Sequence, residues 1–76
     1  MRMPALYNRL GDRSGEASAV RGLGDLERGL GRNEQARTAY EDARILYQQL
    51  GDRSGEADVL RGLADLERRL SRDEQE

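Results

Sequence analysis

Histidine, cysteine, tryptophan and phenylalanine are all missing from this 76-residue chain, and its 13 basic residues are arginine without exception. Each absence removes a chemistry. Without cysteine there is no disulfide, no thiolate nucleophile and no sulfur-built zinc site. Without histidine there is no imidazole base and no ordinary transition-metal site, so Ser-His-Asp and Cys-His arrangements cannot form within one chain. Long apolar runs are also missing. With no stretch of about 18 apolar residues, a membrane span is not expected. Met1-Arg2-Met3-Pro4 lacks the apolar core of a signal peptide, which makes a cytoplasmic setting the default expectation. Charge of one sign is not concentrated anywhere: 15 carboxylates are interleaved with the arginines for a formal charge of −2. A phosphate-binding surface needs clustered positive charge, so nucleic acid is not an expected partner. Only 36% of residues are hydrophobic against 37% charged, and a lone domain of this size buries only about 60% of its unfolded surface. The composition therefore predicts reliance on a partner, on further copies, or on a parent protein.

What the chain does have is an internal repeat. Leu10-Gly11-Asp12-Arg13-Ser14-Gly15-Glu16-Ala17 recurs, offset by 40, as Leu50-Gly51-Asp52-Arg53-Ser54-Gly55-Glu56-Ala57. The match continues through Arg21/Arg61, Gly22/Gly62, Leu23/Leu63, Asp25/Asp65, Leu26/Leu66, Glu27/Glu67, Arg28/Arg68 and Leu30/Leu70, and backwards through Leu6/Leu46 and Tyr7/Tyr47. The chain is a piece of a tandem array.

Each period holds two helical patterns. Ala19, Leu23, Leu26 and Leu30 form one stripe at steps of four, three and four. Gly31 is placed to stop that helix, with Asn33 as N-cap of the next. There Ala36, Tyr40, Ala43, Tyr47 and Leu50 form the stripe, and Gly51 ends it. Asp52 or Ser54 can cap a third helix, whose stripe is Val59, Leu63, Leu66 and Leu70. Pro4 suits the first turn of a short helix running to Leu10. No strand-like alternation occurs, so the expected fold is all-α, built of antiparallel helix-turn-helix repeats.

The stretch Val20-Arg21-Gly22-Leu23-Gly24, then Ala36, then Tyr40-Glu41-Asp42-Ala43, resembles a tetratricopeptide repeat of the longer, 40-residue variety. Val20, Leu23, Gly24, Ala36, Tyr40 and Ala43 occupy that pattern's bulky, Leu-Gly, small, aromatic and small places. The resemblance covers nearly the whole chain beyond Ala5 and implies an α-solenoid fragment of about two repeats. Small Gly24, Ala36 and Ala43 let paired helices approach closely and give Tyr40 room across the seam. Glu27 and Glu67 depart from the pattern, standing where an aromatic is usual; Glu27 reads as a rim carboxylate paired with an arginine such as Arg44. Gly24 becomes Ala64 in the second unit, and Gly31 becomes Ser71, a weaker helix stop. Gly22 and Gly29 have no account from pattern alone.

Carboxylates and serine hydroxyls are the only catalytic material. The acids alternate with arginine on solvated faces rather than converging in an apolar cleft, so no catalytic residue, and no enzyme, is expected. Asp12-Arg13-Ser14-Gly15-Glu16 is a poor calcium loop and reads as an interhelix turn with a cap. Gly22-Leu23-Gly24 lacks the third glycine and preceding strand of a dinucleotide loop. No metal or cofactor site is expected. The polar pattern that stands out is Ser18, Arg21, Asp25, Arg28 and its counterpart Asp58, Arg61, Asp65, Arg68, each set on one helix face. One reading is a solvated ladder in which Arg21–Asp25 and Arg61–Asp65 pair for about 0.2–0.5 kcal/mol. The other is recognition of a peptide by guanidinium forks and carboxylates. The family resemblance implies that this stripe lines a concave ligand surface. Members that bind chaperone tails use Lys and Asn there; Asp25 and Asp65 in place of Asn argue against capture of an acidic C-terminus.

The chain reads as one tetratricopeptide-like unit over 1–76: the end of a second-type helix at 4–11, a complete repeat at 12–51 and a partial repeat at 52–76. Arg72 to Glu76 mirrors the start of a second-type helix, Arg32 to Ala36. With about 1.9 periods and no cap, Leu60, Leu63, Leu66 and Leu70 are expected to lie uncovered and to drive self-association by stacking or helix exchange. The expected role is a non-enzymatic interaction scaffold for a protein or peptide, forming a homo-oligomer; the alternative is a structural element whose faces only stack copies.

Overall fold

The computed structural model describes the backbone of residues 5–75 and the side-chain surroundings of residues 13–72. Three helices follow one another, α1 (Ala5–Gly29), α2 (Asn33–Leu50) and α3 (Arg53–Gln75), with no strand among the described residues. The middle helix packs on both neighbours, which touch each other far less. None of the three is long and apolar enough to cross a membrane.

The two bends sit where glycine permits them. Gly31 and Gly51 have φ of 80° and 71°, a left-handed conformation that costs glycine little because it has no Cβ. Each bend is closed by a backbone bond over the helix end, from Arg32 N–H to Glu27 C=O at 2.9 Å and from Asp52 N–H to Tyr47 C=O at 2.9 Å, the pattern that satisfies terminal carbonyls. Asp52 then caps α3, its Oδ1 accepting from Gly55 N–H at 2.9 Å. The cap of α2 differs from expectation: Asn33 is the first helical residue, and Arg32 holds the cap position without a side-chain bond. An arginine has no acceptor to offer there.

Two expected breaks do not occur. The octapeptide that bends at Gly51 is helical at Gly11, so α1 runs unbroken from Ala5 and the Asp12–Glu16 stretch is helix rather than turn. The physical difference is tertiary. At the second site Tyr47 lies tightly against Gly55, whereas nothing comes within 4 Å of a Cβ position on Gly15. Among the described residues no side chain holds a bend there, and the helix continues through it. Likewise α3 passes Ser71 and continues to Gln75, because serine lacks the left-handed freedom of Gly31. The expectation for Pro4 lies outside the described residues.

The core is Ala17, Ala36, Ala39, Tyr40, Ala43, Tyr47, Val59 and Leu66. Tyr40 fills the seam as expected from its small neighbours: a Cβ on Gly24 would lie 2.8 Å from the ring Cδ1, and one on Gly62 would lie 2.7 Å from Cζ. The leucines are distributed differently from expectation. On α3 the stripe Val59, Leu63, Leu66, Leu70 faces back onto α2, with Leu66 fully buried and Leu63 and Leu70 packed against the core. It needs no following helix, so of the four expected association leucines only Leu60 is exposed, at 41%. On α1 the matching stripe is left uncovered by α2, with Leu23, Leu26 and Leu30 exposed at 47%, 58% and 58%. That helix instead buries Ala17 and Gly24.

Candidate functional site

The polar stripes of α1 and α3 meet side by side. Arg21, Asp25 and Arg28 from α1 and Asp58, Arg61 and Asp65 from α3 line an open depression of about 230 Å³, with Gly62 in its wall. Arg21 Nη1 reaches across to Asp58 Oδ2 at 3.2 Å, and Arg28 Nη1 reaches Asp65 Oδ2 at 3.6 Å. Along each helix an aspartate pairs with the arginine three residues later: Asp25–Arg28 at 3.8 Å, Asp58–Arg61 at 3.8 Å and Asp65–Arg68 at 2.5 Å. The expected Arg21–Asp25 and Arg61–Asp65 pairs do not form. The acid-first order places each carboxylate toward the positive end of the helix dipole relative to its arginine, the favoured orientation.

Two side chains complete this face without having been legible as part of it. Tyr40 rises from α2 between Gly24 and Gly62, and its hydroxyl donates to Asp25 Oδ1. Burial pushes the Tyr40 phenol up to about 12 from its ordinary 10.0, helped by the hydrogen bond to Asp25 and that carboxylate's charge. Arg28 lies over the ring, 6.0 Å from its centre, and opposes the shift through its positive charge. Arg69 is the second addition. It donates from Nη1 to the Arg28 carbonyl at 3.4 Å and, with Arg28, Asp65, Arg68 and Arg72, lines an adjoining depression of about 440 Å³. The spacing of Tyr40 placed its ring at the seam, but only the close approach of Gly62 carries its hydroxyl through to the polar side. Ser18 is exposed and takes no part in the lining. Glu27 is a rim carboxylate, as expected, but its partner is Arg32 at 3.4 Å, while Arg44 goes to Glu56 at 3.3 Å.

Three guanidiniums and three carboxylates line this one depression. Each carboxylate lies against an arginine or the tyrosine hydroxyl. The cross-helix pair Arg21–Asp58 is solvent-exposed at 36% and 44%, and exposed pairs of this kind contribute about 0–1 kcal/mol. A ligand that offers matching groups can therefore exchange with them at small cost. Among the described residues no group of three acidic side chains converges to hold a metal ion.

Compared with protein families, the chain matches the tetratricopeptide repeat over residues 15–75. No curated protein and no solved structure matches it.

Proposed function

Because the chain belongs to the tetratricopeptide repeat family, whose members generally mediate protein–protein interaction, we propose that it is a non-enzymatic scaffold binding a peptide or partner protein across the polar face of α1 and α3. The observation that carries this reading is the shared depression. Six charged side chains from two helices and two repeats converge on it, although they are as many as 44 residues apart in sequence. An extended peptide laid across them meets donors and acceptors in alternation, which favours a ligand of mixed charge with exposed backbone groups over a uniformly acidic tail. The test is selection of binding peptides on the full chain, followed by titration against Arg21→Ala/Arg61→Ala. The expected result is at least a tenfold loss of affinity with helicity unchanged. Affinity unaffected by the double variant would remove the polar face from the account.

A second reading, association of copies, is favoured by a different observation: Leu23, Leu26 and Leu30 of α1 stand half exposed in a row. Solution mass against concentration tests it. Association through this row is lost in Leu23→Glu/Leu26→Glu, whereas a single-chain mass at millimolar wild-type protein would exclude it.

A further inference from the structure

The seam between α1 and α3 changes charge along its length. Three depressions follow one another there and share lining residues. The first, described above, balances three arginines against three aspartates. The second sets four arginines against Asp65 alone. The third, of about 530 Å³, lies between the α1–α2 turn and α3, and its lining includes Arg28, Arg69 and Arg72 with Gly29, Gly31 and Asn33. No carboxylate lines it.

The fold gains little from this basic end. Arg69 and Arg72 are exposed and make no ion pair among the described residues. Arg69 and Arg72 stand three apart on α3, and Arg68 and Arg72 four apart, spacings at which like charges repel. Arg69 is anchored across the seam instead, donating from Nη1 to the Arg28 carbonyl at 3.4 Å, which leaves its other N–H groups to give. Arg28 is held loosely by Asp25 and Asp65, at 3.8 and 3.6 Å, beyond hydrogen-bond length. The repeat also diverges here, with Gly29 answered forty residues on by Arg69. The glycine keeps the α1 wall bare, with nothing within 4 Å of a Cβ position, and the arginine brings charge to the opposite wall. Guanidiniums gathered without a carboxylate fit a compact dianion, whose oxygens accept from several forks at once.

We infer that this basic end receives a phosphorylated side chain of the peptide bound along the polar face, held by Arg28, Arg69 and Arg72. The inference rests on the polar face being the peptide site. It adds what the ligand carries and which way it lies, mixed charge over the first depression and phosphate toward the α1–α2 turn. A nucleic acid fits less well. Its unbroken phosphate backbone would run onto Asp25, Asp58 and Asp65. Tyr40 and Tyr47 are buried, so neither can stack on a base.

Two titrations of the full chain test this. N-acetyl-phosphoserine methylamide, followed by the arginine Nε–Hε NMR signals, is expected to saturate with shifts at Arg28, Arg69 and Arg72, and N-acetyl-serine methylamide to give none. Gly29→Glu, which sets a carboxylate in the cleft, and Arg69→Gln/Arg72→Gln are each expected to abolish saturation with helicity unchanged. Shifts that never saturate, or saturation that survives both variants, overturn the inference. The second titration uses peptides selected on the polar face, made with serine or phosphoserine at each position in turn. One end position is expected to bind about tenfold tighter, or more, when phosphorylated. That gain is expected to vanish in Arg69→Gln/Arg72→Gln and to persist in Arg21→Ala/Arg61→Ala, which weakens both forms alike. A gain at no position overturns the inference, leaves the cleft a site for free phosphate at most, and keeps the polar-face reading standing. Failure to select any peptide is failure of the polar-face reading itself, and the inference falls with it. A short single-stranded DNA that binds more tightly than the best phosphopeptide also overturns it.

Discussion

Helices α1 and α3 share most of their sequence and almost none of their surroundings. Leu66 is fully buried, while its counterpart Leu26 is 58% exposed. Gly62 presses on Tyr40, and Gly22 meets nothing. The octapeptide starting at Leu50 bends, caps and restarts a helix, whereas the one starting at Leu10 stays helical throughout. Neither difference is encoded in the segments themselves. Both follow from α2, which offers two tyrosines and two arginines to the face of α3 and packs on α1 from another side. A repeat sequence thus specifies a surface, and its neighbour decides whether that surface becomes core, turn or open face.

The comparison can be broken most forcefully at the leucines. Leu66→Ala removes buried volume and is expected to cost about 2–4 kcal/mol in urea unfolding, whereas Leu26→Ala is expected to stay within about 0.5 kcal/mol. Equal costs would mean that the two faces are not differently covered. Alkaline unfolding sharpens the role of Tyr40, which fills the seat on α3. Its folded pKa, raised to about 12 from 10.0, favours the neutral phenol. That contribution is whole below pH 10 and fades as pH climbs to 12, by about 2–3 kcal/mol in all. Tyr40→Phe should show a correspondingly shallower alkaline loss. The smallest effect concerns the paired bends. Gly51→Ala forces a Cβ into φ of 71° and is expected to cost about 1–2 kcal/mol, while Gly11→Ala, inside continuous helix, is expected to gain about 0.5–1 kcal/mol.

Much of the fold was legible because its signals are local or short-range. Three-four spacing located α2 and the buried stripe of α3, the two left-handed glycines ended helices where expected, and the small size of Gly24 announced the seat of Tyr40. What periodicity cannot carry is the identity of a covering partner. Leu23, Leu26 and Leu30 are as regularly spaced as Leu63, Leu66 and Leu70, so both rows read alike, and the row expected to be open is the one α2 covers. The missing bend at Gly11 has the same cause, since a glycine permits a left-handed residue without requiring one. At the polar face six of the eight side chains picked out by spacing line the shared depression, while Ser18 and Arg68 do not, and the cross-helix pairs, Arg69 and the Tyr40 hydroxyl depend on how closely α3 approaches. Gly62 has its account in the Tyr40 ring that presses on it, while its counterpart Gly22 has no such neighbour.

The central claim, that one repeat face is filled on α3 and vacant on α1, is tested most directly by measuring urea unfolding of Gly62→Ala beside Gly22→Ala. A Cβ on Gly62 would meet Tyr40 Cζ at 2.7 Å, and one on Gly22 would meet open space. The expected result is opposite signs. Gly62→Ala loses about 1–3 kcal/mol through overpacking, and Gly22→Ala gains about 0.5–1 kcal/mol through helix propensity. Changes of the same sign and size at the two positions would contradict the account.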